Sequence, residues 1–292
     1  MTSEGIAPNL VPDFGRYGLF CPLHAQDTRE QADVAAEIEG MGYGTLWVGN
    51  STIDNATPLL GATQHMIIGT AIQSIWRLPA QETAFRLDAL ESVYPGRFQL
   101  GLGVSHPQAA ADYRRPYSAM VEYLDILDGC PTSVPPLRRT LAALGPRMLR
   151  LARDRSAGAM PYLVTAEQVA HAREALGDGP VLSPELGVVL ESDPERARTR
   201  AREAVSFYLG LTNYRKSWLR GGFTEDDMSN GGSDRLIDAL FAWGSEQDIS
   251  ARIDAFLQAG ADHLALQVFD GSGPGHLPRR GWKRVAEMLS LG

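Results

Sequence analysis

The chain reads as an α/β protein, a (β/α)8 TIM barrel with an insertion before the last βα unit, and three observations predict it. Short apolar runs alternate with stretches of helical periodicity eight times, the rhythm of repeated βαβ units. Several of those runs are continuously apolar, as in parallel strands covered on both faces, where a half-solvated strand would alternate. The stretch Gln64 to His106 holds strand, crossover helix and next strand without interruption. In it Met66 to Ile72 is apolar apart from Gly69 and Thr70, Phe85, Ala89, Leu90 and Val93 recur near helical spacing, and Pro95-Gly96 stops the helix before the strand Phe98 to Val104.

Taken in order, Tyr17 to Cys21 is the first strand, ended by Pro22, and Thr28 with Gln31 forms a capping box for a helix whose buried stripe is Val34, Ile38 and Met41. Gly42 and Gly44 close that helix before the second strand, Thr45 to Val48. After the third and fourth strands, Pro116 to Leu127 is helical, and the CPTSVPP connection leads to a fifth strand, Arg139 to Ala143. Pro146 opens the next helix where a missing amide hydrogen costs little. Gly158 to Leu163 is the sixth strand, and Thr165 with Gln168 repeats the capping box. Leu186 to Leu190 is the seventh, and Ser192-Asp193-Pro194-Glu195 starts an arginine-rich helix. Leu211 to Gly244 departs from the rhythm, with Asp234 to Trp243 helical at its end. Ser245 with Asp248 caps the following helix, stopped at Gly260, and Leu264 to Phe269 is the eighth strand. The excursion is long, Gly-rich and aromatic, which predicts a lid over the barrel mouth. No linker composition divides the 292 residues, so a single domain over 1–292 is expected.

A net charge of -8 excludes broad nucleic-acid binding, whose affinity comes from neutralising phosphates. Cys21 and Cys130 have neither metal-type nor redox-type spacing. There is no basic leader with an apolar core and no run of eighteen apolar residues. A cytoplasmic protein without membrane or nucleic-acid partners and acting on a small molecule is therefore expected.

The active site of such a barrel lies at the carboxyl ends of its strands. The residues there are His24, Asn50, Ser74 with Trp76, Ser105 with His106, Gly145-Pro146-Arg147, and Asp270. This set lacks the paired carboxylates of glycoside hydrolysis and the grouped ligands of a metal site. Two readings of Gly101 and Gly103 are open: close approach of a flat ligand, or relief of crowding inside the barrel. The start of the helix at Pro146, with Arg147, Arg150 and Arg153, is either an anion site or a solvated arginine face. Trp47, Trp76, Tyr214 and Trp218 either line a pocket or pack in the core.

The segments GYGTLWVGN, IIGTAIQSIWRLP, RFQLGLGVSHP, LAALGPRMLRLA with GAMPYLVT, and AGADHLALQV together resemble the luciferase-like flavin and deazaflavin oxidoreductases, most closely the actinobacterial subgroup that uses coenzyme F420. The resemblance implies an oxidoreductase passing a hydride between coenzyme F420 and a small organic substrate. An FMN-dependent monooxygenase and a non-catalytic flavin-binding barrel are the alternatives. It further implies that the cofactor ring packs on a bulge at Gln73, Ser74 and Ile75, with a cis peptide between Ser74 and Ile75. Gly103, Val104, Ser105 and His106 would border the ring, and Ala143, Leu144, Gly145, Pro146 and Met148 would meet the phosphate-bearing chain. Relatives place a histidine after the second strand and, in some cases, an acid after the fourth. This chain has Asn50 and His106 there, which makes these two its catalytic candidates. A homodimer joined through the second and third helices is also implied.

Overall fold

A computed structural model describes residues 13–108, 113–132, 134–273 and 275–292, so the amino-terminal stretch read for a leader and Ser133 of the proline-rich connection lie outside the described residues. Strand β1 (Tyr17–Cys21) is followed by α1 (Thr28–Gly40), β2 (Thr45–Gly49), α2 (Ala56–Ala62), β3 (Ile67–Ala71), β4 (Gln73–Ser74), α3 (Ala80–Val93) and β5 (Phe98–Gly103). The chain continues through α4 (Pro116–Gly129), β6 (Arg139–Leu141), α5 (Pro146–Arg155), β7 (Gly158–Ala159), α6 (Ala166–Leu176), β8 (Val181–Leu182), β9 (Glu185–Val189) and α7 (Pro194–Val205). It closes with α8 (Thr212–Arg220), α9 (Asp234–Leu240), β10 (Phe241–Trp243), α10 (Glu246–Gln258), β11 (Leu264–Phe269) and α11 (Arg279–Met288).

The strands form one all-parallel sheet in the order β10-β9-β11-β1-β2-β3-β5-β6-β7-β8, with β4 on β5. One end of that order runs on into the other side of the sheet, because β8 is separated only by Ser183-Pro184 from β9, which lies between β10 and β11. The Glu185 amide donates to the Pro161 carbonyl and the Ala265 amide to that of Pro184, each at 2.9–3.0 Å. The sheet is thus barrel-like, as the uninterrupted apolar strands require if both faces are to be covered.

Where boundaries moved, the reason is local. The cap of α1 is Asp27, whose carboxylate accepts from the Glu30 amide at 2.9 Å, one residue before the expected Thr28. The boxes at Thr165 with Gln168 and Ser245 with Asp248 form as expected. The strand expected over Gly158 to Leu163 stops at Ala159, since Pro161 has no amide hydrogen and Leu163 turns to φ +52°. Phe241–Trp243 is strand β10, not the end of a helix. It runs beside Gly187–Val189, and the missing side chain of Gly187 makes the room, since a Cβ there would sit 2.5 Å from the Phe241 ring. The non-prolyl cis bond lies at Ala71-Ile72, not between Ser74 and Ile75. It falls where the chain leaves its pairing with β2 and, two residues on, resumes its pairing with β5 as β4.

The main core lies between sheet and helices, with Ile38, Leu59, Leu124, Phe256 and Trp282 among its buried side chains. A smaller cluster plugs the barrel interior: Phe14, Trp47, Ile67, Ala71, Met160 and Ala265. Buried His263 closes it below, its Nε2 accepting from the Trp47 indole at 2.9 Å and its Nδ1 lying 2.8 Å from the Gly15 carbonyl. That carbonyl can only accept, so the ring is neutral with its proton on Nδ1, and burial holds its pKa down at about 4.

Candidate active site at the carboxyl ends of the strands

Three of the four predicted segments come from neighbouring strands and form one arc. The β4 bulge pairs with the end of β5 in the register Ser74 to Gly103, and β5 pairs with β6, so Ser74 and Ile75, Gly103 to His106, and Ala143 to Met148 follow one another along the rim. Asn50 continues it after β2, its amide donating to the Ala71 carbonyl at 3.3 Å. Asn50 and Ser105 both hold positive φ, at +51° and +56°, a conformation that persists in a non-glycine residue only where its surroundings fix it. Trp76 clamps this part of the rim by donating from its indole to the Val104 carbonyl at 2.6 Å.

Within the arc the side chains divide. Gln73 is wholly buried and turns outward: its Oε1 accepts from the Ile53 amide at 2.9 Å and its Nε2 donates to Thr83 at 3.0 Å, so it anchors the bulge against the surrounding helices. The glycines of β5 answer to crowding. A Cβ on Gly101 would fall 1.9 Å from the Thr70 carbonyl oxygen, and one on Gly103 would fall 2.7 Å from the Ile72 side chain. Close approach of β3 and the bulge accounts for both.

At the far end of the arc, Gly145 caps α5 and Pro146 occupies its first turn. Helix geometry leaves the Arg147 and Met148 amides without an intrahelical acceptor. Arg147 stacks on Tyr117 at 4.1 Å and, like Arg150, makes no salt bridge among the described residues. Arg153 pairs with Asp154 and is spent. Arg220, at the end of α8, reaches across to donate to the Leu144 carbonyl at 2.9 Å, and partial burial lowers its pKa. Arg220 therefore stands beside the free amides that open α5, and neither it nor Arg147 or Arg150 is held in a salt bridge among the described residues, which suits an anion there.

The opposite wall is aromatic. Tyr214 of α8 packs on His106 with ring centroids 5.7 Å apart and on Tyr208 at 4.9 Å, and Tyr208 packs on Tyr162 at 5.2 Å. The Trp218 indole donates to the Leu163 carbonyl at 3.0 Å. His106 is half-buried, its Nδ1 has no hydrogen-bond partner, and burial lowers its pKa against a raising hydrogen bond with Asn213. Beneath the tyrosines lies Glu185, 2 % exposed, its carboxyl pushed up by burial to about 8. A cavity of about 680 Å³ opens beside this wall, between the ends of β1 and β11 and the face of α7, with Phe20, His24, Arg200, Gln267 and Phe269 in its lining. His24 and Asp270 thus meet at that cavity, away from the arc. Trp47 lies in the barrel interior instead, and no group of His, Cys, Asp and Glu is placed to hold a metal among the described residues.

The model of the family described as luciferase-like monooxygenase matches residues 15–263. The chain belongs to that family. Its fold is shared by solved structures at low identity. An F420-dependent secondary alcohol dehydrogenase in complex with an F420-acetone adduct is 15 % identical, with a TM-score of 0.72 over 94 % of this chain and 98 % of that one. A coenzyme F420-dependent tetrahydromethanopterin reductase from Methanopyrus kandleri is 16 % identical, with a TM-score of 0.68 over 94 % and 97 %. The oxygenating constituent of 3,6-diketocamphane monooxygenase from Pseudomonas putida, in complex with FMN, is 14 % identical, with a TM-score of 0.68 over 94 % and 96 %. Comparison with the curated proteins returned no match. No described helix is long and apolar enough to cross a membrane.

In this luciferase-like chain, sequence reasoning missed Tyr162, Tyr208, Glu185, Gln267 and Arg220. One signal was present: Glu185 is a lone acid opening the apolar run ELGVVL, and a buried strand does not accept a carboxyl without reason. Arg220 gave none, since only the path of α8 brings it to α5.

Proposed function

We propose that this protein is an oxidoreductase that transfers a hydride between coenzyme F420 and a small organic substrate at the carboxyl-end rim of a (β/α)8 barrel. The observation that carries the reading is the junction of α5 and α8. The free amides after Gly145, with Arg220 beside them and neither it nor Arg147 or Arg150 held in a salt bridge among the described residues, suit the phosphate-bearing chain of the cofactor. Val104, half-buried after β5, would offer apolar contact for a flat ring between that anion site and Asn50, whereas Ile75 packs into the main core and Gln73 anchors the bulge. When bound, the deazaflavin would supply or accept the hydride. The chain would hold the ring over the bulge, orient the substrate beside His106 and Asn50, and exclude water with the Leu211 to Gly244 segment. Contacts of Tyr214 with His106, Trp218 with Leu163 and Arg220 with Leu144 support that segment as a lid.

The structure in complex with FMN among the neighbours favours a second reading, an FMN-dependent monooxygenase on the same arc. A titration of the purified protein with coenzyme F420 and with FMN, followed by cofactor fluorescence, separates them. Saturable binding of coenzyme F420 alone is expected, and preference for FMN would replace the first reading with the second. We further read the chain as one domain acting as a cytoplasmic homodimer. Phe85 and Val93 stand 65 % and 63 % exposed on α3, the helix expected at the contact. Light scattering at the mass of a monomer would remove the dimer.

A further inference from the structure

The cavity of about 680 Å³ beside the tyrosine wall opens on the same rim as the arc but shares no residue with the anion site at α5. Cavity and arc meet where β1 and β2 end. Gly49, next to Asn50, comes so close to Phe20 of the lining that a Cβ there would sit 3.1 Å from its ring. Phe20 in turn packs on Tyr162 with ring centroids 5.3 Å apart, and Gln267 accepts from the Tyr162 hydroxyl at 2.9 Å. That bond takes up the Gln267 oxygen, so its Nε2 is left as a donor with no acceptor among the described residues. With Phe20, Phe269, Leu277 and Trp282 in its lining, the cavity suits a largely apolar ligand that one or two polar groups orient.

Of the two arginines in the lining, Arg196 is spent and Arg200 is not. Arg196 donates to Glu191 at 2.9 and 3.1 Å, and the same carboxylate accepts from the Ser192 and Asp193 amides at 3.0 and 3.1 Å. Arg200 only approaches Glu191, at 3.5 Å, and makes no hydrogen bond among the described residues. Its guanidinium lies instead on the backbone of Gly271, where a Cβ would fall 2.7 Å from Nη2 and 2.8 Å from the guanidinium carbon. An unspent fork, half-buried at the edge of an apolar cavity, is placed for a bidentate bond to a carboxylate. The acids of the lining select a single negative charge. Glu195 and Glu203 stand exposed on α7, and Asp270 is turned into its own loop, accepting from the Ser272 amide at 2.9 Å. A phosphate dianion would face them with one free arginine to offset its charge. We propose that this cavity is the substrate pocket and that it takes a small organic acid, its carboxylate held by Arg200, its apolar body packed against Phe20 and Phe269, and an oxygen near its other end accepting from Gln267.

That the acid is the molecule exchanging the hydride rests on the cofactor reading above, whereas the pocket and its preference for a carboxylate do not. The two anion sites then have separate tasks. Arg220 and the amides of α5 serve the cofactor, and Arg200 serves the substrate from the other side of the mouth.

The test uses cofactor-free protein and three probes of one shape: hydrocinnamate, its uncharged amide, and phenethyl phosphate, each titrated by calorimetry at neutral pH. Hydrocinnamate should bind saturably and the amide at least ~10-fold more weakly, the scale of a hydrogen bond between charged groups. Arg200→Gln should bring the acid down to the affinity of the amide and leave the amide unchanged. Arg200→Lys should recover only part of the loss, because an ammonium offers no fork. Gly271→Ala keeps the charge but crowds the guanidinium, so it should weaken the acid alone and have no further effect when combined with Arg200→Gln. Equal affinity for acid and amide, no binding of either, an acid affinity that survives Arg200→Gln, or tighter binding of phenethyl phosphate would each overturn the proposal. Failure of both F420 and FMN to bind would overturn the cofactor reading and leave these titrations as informative as before.

Discussion

Arg220 shows how much at this site turns on single side chains. It spends one donor on the Leu144 carbonyl and carries a charge that no carboxylate answers among the described residues. If that charge serves an anion bound at α5, Arg220→Ala should weaken coenzyme F420 binding by about tenfold, the scale of one charge-assisted hydrogen bond, with the loss shrinking at high salt. Fluorescence titrations at two salt concentrations check this, and unchanged affinity at low salt would return the arginines to an ordinary solvated face. His106 is the other decisive residue. Its burial favours the neutral ring at pH 7, able to accept at one nitrogen and donate at the other. His106→Ala should lower turnover by ~10²-fold while leaving cofactor affinity nearly unchanged, as expected for lost proton transfer. Turnover at the wild-type rate would make the histidine structural.

Among the elements, β10 is the one whose identity depends on its partner. Asp234 to Trp243 has helical spacing through Leu240, and α9 does form there with Ser233 as its cap. The next three residues become strand because Gly187 leaves a gap on β9 that the Phe241 ring fills. Gly187→Ala should therefore destabilise the protein by about 1–3 kcal/mol through overpacking, and trimming the ring in Gly187→Ala/Phe241→Leu should restore part of it. Urea unfolding of the three proteins checks this, and additive losses would mean that the contact is not the cause. Elements whose signals are local were legible from sequence for the same reason: the capping boxes of α6 and α10, the Asp193-Pro194 start of α7 and the first strand depend on residues within a few positions of one another.

For the whole molecule, two buried groups set opposing slopes of stability against pH. His263 has a folded pKa of about 4, below its ordinary 6.5, so the unfolded chain binds the extra proton and stability is lost as pH falls from 6.5 through 4. Glu185 has a folded pKa of about 8, above its ordinary 4.5, so the folded state keeps a proton that the unfolded chain releases, and stability is lost as pH rises from 4.5 through 8. Between 4.5 and 6.5 the two slopes cancel. Above 6.5 only Glu185 acts, and denaturation midpoints should report a loss of about 2 kcal/mol by pH 8.5 that is missing in Glu185→Gln. A wild-type profile that stays flat to pH 8.5 would show that the carboxyl is already ionised at neutrality.

What the sequence determined by itself was the order and kind of most of its elements, β10 excepted, and through the quoted motifs the family. Apolar period, capping residues and turn residues act over distances that the chain spans in a few positions. It also placed Asn50, Ser74, Gly103 to His106 and Ala143 to Met148 on one rim, because strand ends in a parallel sheet share an end by construction. Tertiary structure alone decided that Gln73 turns away to hold Ile53 and Thr83, that the cis bond sits at Ala71-Ile72, and that Arg220 and Tyr214 arrive over the rim from α8. It alone put Glu185 beneath three tyrosines. Each of these depends on which residues meet across the barrel, and a carboxyl acquires its proton from the company it is buried in, which no local stretch of sequence states.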